Sequence, residues 1–128
     1  MARMPALVDP AGADVRDADY YRQRLEDPSL MAGALAVRLG RDAWLVVPVG
    51  GRRRGGYLPV PDLLTGAAAR RLLTGRPGFP DVRLRWSPYA DCCHVVAWGE
   101  PAPREDDDET LGRFYGYSED AINRFTGR

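Results

Sequence analysis

Gly50-Gly51-Arg52-Arg53-Arg54-Gly55-Gly56 lies between two apolar stretches of the chain. Glycine lets a backbone approach a ligand closely, and a guanidinium grips phosphate or carboxylate through two parallel hydrogen bonds. Three arginines between glycine pairs therefore suit an anion clasp, or a contact that follows a nucleic-acid backbone. The segment is not a phosphate-binding P-loop, which needs Lys and then Ser or Thr after its last glycine, followed by a helix. Here Gly56-Tyr57 opens a strand-like run instead. The plainer alternative is a solvated hairpin tip. Arg83 and Arg85 share one face of a later strand-like run, and Arg70 and Arg71 lie on the helical segment before it. Gathered beside the loop they would complete one basic, anion-binding surface; otherwise they are the polar faces of amphipathic elements.

Asp91-Cys92-Cys93-His94 is the second place where chemistry could sit. In a strand Cys92 and His94 face one way and Cys93 the other, so neither a disulfide between neighbours nor a Cys93–His94 nucleophile–base pair fits. Zinc needs ligands at wider spacing, and the chain has 1 histidine, so no metal is expected. The catalytic candidates are thus His94 with Asp91 or Glu100 as its acid, and Cys93. Thiols packed as small apolar groups beside a hydrogen-bonded histidine are the commoner outcome. The third place is the aromatic segment Phe114-Tyr115-Gly116-Tyr117 with Ile122 and Phe125. It suits docking of a protein partner or a second copy, or closure over the protein's own core, since both use the same apolar spacing.

The elements that must position these residues follow from periodicity and punctuation. Residues 1–13 mix Pro, Gly and Ala and read as a mobile arm. Val15, Ala18, Tyr21 and Leu25 repeat at helical spacing, predicting a helix over 14–26; Asp27-Pro28 then starts a short turn that stops at Gly33. Leu35, Val37 and Leu39 alternate as a half-buried strand, and Trp44–Val49 is apolar on both faces, which predicts a central strand. Pro59 puts the third strand, Tyr57–Val60, at an edge. Asp62 caps a helix to about Thr74, with Leu64, Ala68 and Leu72 as its stripe and Gly75 as its stop. Val82–Trp86 and Cys92–Trp98 form the last strands. The order α-βββ-α-ββ predicts a single α+β domain over 14–98, a mostly antiparallel sheet of about five strands with helices on one face. A Pro-rich and acidic linker follows over 99–111. The aromatic segment 112–128 carries a short helix, with Ser118 as N-cap and Tyr117 and Ile122 as a hydrophobic staple.

Bulk properties narrow the class. A chain of 128 residues with 45% hydrophobic content holds a core without staples. No apolar run reaches the length of a membrane span and no secretory h-region is present, so a cytoplasmic protein with free thiols and no membrane contact is expected. All 18 basic residues are arginine, which balances 18 acids. The balance is uneven along the chain: residues 33–90 carry a net +7, residues 1–32 a net −2 and residues 91–128 a net −5. A basic centre between acidic ends implies either an electrostatic partner or ends that fold back on the centre.

Val47–Leu58, Gly78–Pro88 with His94–Glu100, and Arg113–Ile122 together resemble a family of small uncharacterised proteins from streptomycetes and related actinobacteria, a domain of unknown function. The resemblance covers the chain from about Tyr20 onward. It implies a bacterial cytoplasmic protein and supplies no activity or catalytic residue. With no cofactor motif and no convincing acid–base pair, the residues favour a non-enzymatic binding or regulatory module. Its partner would be nucleic acid or another anionic ligand, engaged through Arg52, Arg53 and Arg54. The rivals are a small enzyme with an anionic substrate held between that loop and His94, and an interaction or self-association module using Phe114, Tyr115, Tyr117 and Ile122.

Overall fold

Ala43, Trp44, Leu45 and Val46 are apolar in succession, so a strand made of them has to be covered on both faces. The computed structural model, which describes residues 4–85, 94–104 and 107–126, puts this strand inside a sheet that separates two cores. In chain order the elements are β1 (Ala6–Val8), β2 (Val15–Arg16), α1 (Ala18–Arg24), a 3-10 helix (Pro28–Gly33), β3 (Leu35–Leu39) and β4 (Asp42–Val46). Then come β5 (Gly55–Val60), α2 (Leu63–Leu73), β6 (Arg83–Arg85), β7 (His94–Gly99), α3 (Asp108–Phe114) and α4 (Glu119–Thr126). The fold is α+β, as the residue patterns imply.

The first sheet has the order β1-β3-β4-β2, antiparallel except where β2 runs parallel to β4. Val37 and Val46 enter the main core with Leu58, Leu73, Val96 and Trp98, while Leu45 and Val47 enter a second cluster with Leu25 and Ala34. Alternation along β4 thus feeds both sides. The strand stops short of Pro48, which has no N–H to extend a ladder. The Val47 carbonyl accepts from Trp98 Nε1 instead, at 3.1 Å.

The second sheet is antiparallel, order β5-β7-β6, with the Pro59 strand at an edge as proline requires. One face, through Leu58, Val96 and Leu84, packs beneath α2. The opposite face carries Tyr57, Ala97 and Arg83 in one cross-strand row, and Pro59, Val95 and Arg85 in the next. The Asp62 carboxylate accepts from Thr65 N–H at 2.7 Å and starts α2; Gly75, at φ 83°, follows its end.

Several expectations change. Two sheets form in place of one with five strands, because residues 6–8, read as part of a mobile arm, pair with β3 and residues 15–16 pair with β4. That pairing also shortens the first helix, which begins only after Asp17 takes a positive φ of 72°. The buried stripe of α2 is Gly66, Ala69 and Leu73 rather than Leu64, Ala68 and Leu72, and Leu64 is 75% exposed. Gly66 marks the contact: a Cβ there would sit 2.6 Å from Leu84 Cδ1. The acidic run read as linker continues into α3, capped by Asp107, whose carboxylate accepts from Glu109 N–H at 3.0 Å. The expected C-terminal helix, α4, has Ser118 Oγ accepting from Ala121 N–H at 3.1 Å. Among the described residues no helix is long and apolar enough to cross a membrane.

Candidate functional site

The arginine loop is a tight hairpin. Gly50 and Arg53 exchange backbone hydrogen bonds at 3.0 and 2.9 Å, and Gly51 supplies the positive φ (52°) that such turns demand of a central residue. The geometry sends Arg52 outward and Arg53 inward. Arg53 is 3% exposed. Its Nη1 donates to the Tyr115 carbonyl at 2.9 Å and its Nε to the Val47 carbonyl at 3.4 Å. Its guanidinium carbon lies 5.4 Å from the Tyr21 ring centre and 5.8 Å from that of Tyr115. Among the described residues no carboxylate pairs with it. Gly116 makes this possible, since a Cβ there would fall 2.6 Å from Arg53 Cβ. Arg54 N–H adds a bond to the Phe114 carbonyl at 2.9 Å. Arg53 therefore pins the 114–117 segment to the hairpin, which corrects the picture of Arg52, Arg53 and Arg54 as three exposed fingers.

Arg52 and Arg54 remain outside. Arg52 pairs with Glu26 at 3.3 Å and Arg54 with Glu100 at 3.9 Å, all largely solvent-facing. Both open onto a surface basin of about 640 Å³ that also takes Arg113. Arg113 escaped notice in the sequence because its position depends on the fold of α3 against α4. Its hydrogen bonds with Glu119, the shorter at 3.0 Å, hold the Glu119 carboxyl below its ordinary range and raise Arg113 above its own.

The other arginines do not all join them. Arg70 donates to the Val82 carbonyl at 3.2 Å, and it and Arg71 sit on α2, across the sheet from Arg83 and Arg85. Arg83 is held by the carbonyls of Asp81 and Gly99 at 2.9 and 2.8 Å. Arg85 is exposed and has no ion pair among the described residues. These two border a cleft of about 180 Å³ with Tyr57, Phe114 and Tyr115. The seven arginines thus divide among a buried pin, two neighbouring hollows and a separate helix. Phe114 lines both hollows.

His94 begins β7 opposite Val60, while the hairpin meets the far end of that strand at Gly99. Five strand residues separate them by about 17 Å. His94 lines none of the four hollows described for this fold, two of which border the hairpin or its neighbouring sheet face. Asp91, Cys92 and Cys93 lie outside the described residues. Among those described, no group of three His, Cys, Asp or Glu could hold a metal.

Phe114, Tyr115 and Tyr117 pack against their own fold. Phe114 is 8% and Ile122 3% exposed; Tyr115 and Tyr117 are half-buried. With Tyr20, Tyr21 and Tyr57 they make a tyrosine cluster that the sequence reading missed as a unit. The adjacent Tyr20-Tyr21 pair was its one visible signal. Burial raises the hydroxyl pKa of Tyr21, Tyr57 and Tyr117, and pushes Tyr115 up to about 12, against a smaller lowering by Arg53. All four rings are neutral at physiological pH.

Residues 7–128 match the model of the Family of unknown function (DUF6302). The chain belongs to this family. No curated protein and no solved structure matches it. The hollows of this DUF6302 member set exposed guanidinium groups beside neutral aromatic rings, a combination suited to phosphate joined to something flat.

Proposed function

We propose that the chain is a small, non-enzymatic binding or regulatory module that takes a phosphate-bearing partner on the open face of the β5-β7-β6 sheet. The observation that carries the reading is the placement of Arg83 and Arg85 beside the Tyr57 and Tyr115 rings, whose centres are 5.5 Å apart. Arg85 supplies a fork of donors free for phosphate, and Arg83 adds fixed positive charge next to it. Tyr57, 46% exposed, supplies an uncharged π-face for a planar group. Arg54 stands across Glu100 from this cleft, so the hairpin contributes from the side.

The test compares a nucleoside monophosphate with its parent nucleoside by calorimetry on the full chain. Binding is expected to need the phosphate, to weaken as salt rises, and to fall about tenfold in Arg85→Ala, the loss of one charge-assisted contact. Equal binding of the bare nucleoside, or affinity indifferent to Arg85→Ala, would reject the sheet face as the site.

A further inference from the structure

Tyr57 and Tyr115 border a second hollow as well as the Arg83/Arg85 cleft. This second space, also about 180 Å³, is bounded by Tyr20, Arg24 and Tyr117 over an apolar floor that includes Leu111 and Ile122. The rings form a connected row, with centres 5.5 Å apart from Tyr57 to Tyr115, 6.2 Å from Tyr115 to Tyr117 and 6.2 Å from Tyr117 to Tyr20. At its far end the Arg24 guanidinium carbon lies 3.8 Å from the Tyr20 ring centre. The row therefore has arginine at both ends, exposed Arg85 and half-buried Arg24, and aromatic surface between.

We infer that the partner is a single-stranded nucleic acid, lying along a track from Arg85 over Tyr57 and Tyr115 to Tyr20 and Arg24. The inference rests on the proposed reading of the sheet face and names its ligand. A polymer that carries flat bases between phosphates matches a row of rings with a guanidinium group at each end, whereas a mononucleotide fills one hollow and leaves the other idle. In a duplex the base faces are stacked on one another and cannot lie on the tyrosines. Asp108 lines the second hollow and the Asp17 charge is felt at Tyr57. These two acids disfavour phosphate over the middle of the row and direct it to the arginine ends.

The experiment is fluorescence anisotropy on the full chain with a labelled single-stranded octanucleotide, a hairpin duplex of the same composition, and unlabelled mononucleotide as competitor. The octanucleotide is expected to bind about tenfold or more tightly than either of the others, as an additional stacked base implies. Tyr20→Leu, which keeps apolar volume and removes the π-face, and Arg24→Gln should each weaken octanucleotide binding by about five- to tenfold. Neither should change mononucleotide binding, whereas Arg85→Ala weakens both ligands. Should Tyr20→Leu fail to fold, Arg24→Gln decides alone, because Arg24 is the last residue of α1, half-buried and outside both core clusters. A mononucleotide that competes as well as the octanucleotide with the Arg24 variant silent, or a duplex bound as tightly, overturns the track and leaves the sheet-face site standing. No binding of any of the three overturns both.

Discussion

Replacing Arg53 tests whether this arginine holds the fold together. In Arg53→Ala the 2.9 Å bond to the Tyr115 carbonyl goes, and bonds from charged donors contribute about 1.5–3 kcal/mol. The bond to Val47 is long at 3.4 Å, and that carbonyl keeps its Trp98 partner, so little is lost there. Proximity to the Tyr21 and Tyr115 rings adds about 0.5–1 kcal/mol each, and two buried methylenes about 0.8 kcal/mol each. Against this, removing a buried charge that has no carboxylate partner relieves a desolvation penalty of several kcal/mol. The net expectation is a loss of about 2–4 kcal/mol, a large part of the margin of a domain this size. Arg53→Met, which keeps the stem and discards the charge, should lose roughly half as much, because relief of desolvation then meets little loss of packing. Urea unfolding of the full chain measures both. Amide exchange supplies the specific signature: protection should fall first across Tyr115–Tyr117 and α4, which Arg53 ties down. An Arg53→Ala protein within about 0.5 kcal/mol of the parent, or one destabilised with exchange in that segment unchanged, would refute the pin.

Gly116→Ala attacks the same contact from the other side. With φ at 77° and a Cβ only 2.6 Å from Arg53 Cβ and 2.8 Å from its Cα, alanine forces backbone apart, and a loss of about 2–4 kcal/mol in urea unfolding is expected. Tyr21, Tyr57, Tyr115 and Tyr117 make alkaline pH a second probe. Their folded-state pKa values are raised, so the neutral hydroxyls contribute stability that is full below the ordinary value of 10.0 and lost as pH rises through the folded values, about 12 for Tyr115. The chain contains no lysine to titrate alongside them. Phenolate absorbance should therefore show most of the 6 tyrosines ionising late in the folded protein and early in denaturant, with the urea midpoint falling over the same range; coincident titrations would disprove their burial.

The elements with local punctuation were legible. Asp62 before α2, Gly75 after it, Asp27-Pro28 before the 3-10 helix and Ser118 before α4 each act through neighbours within a few residues, and each does what its chemistry requires. The edge position of the Pro59 strand follows from one missing N–H. What escaped depends on distant partners. Nothing in Ala6-Leu7-Val8 announces a strand until β3 is there to pair with it, and Val15-Arg16 fits a helical period equally well until β4 claims it. Gly66 reads as a weak point in a helix, yet it is the contact where Leu84 enters. The arginine loop failed for a related reason. Composition cannot tell Arg52 from Arg53, because which of them turns inward is decided by the Gly50–Arg53 pairing and by the space that Gly116 leaves 63 positions further on.

The charge pattern along the chain is partly resolved within the molecule. Arg52 of the basic centre meets Glu26 of the acidic N-terminal part, and Arg54 meets Glu100 of the acidic C-terminal part. The ends do fold back on the centre, but such pairs are weak locks. Exposed ion pairs contribute about 0–1 kcal/mol, and the Arg54–Glu100 pair spans 3.9 Å with both side chains more than 60% solvent-accessible. A phosphate that engages Arg54 through two parallel bonds holds it better than Glu100 does across that gap. Effective masking would need buried, bidentate pairs, and the most deeply buried arginine is paired with carbonyls and rings instead. The acidic partners at the hairpin therefore grade the attraction for an anion rather than abolish it. Arg85, unpaired among the described residues, carries the undiminished positive charge on the sheet face, and that is why the proposed contact moves there from the loop.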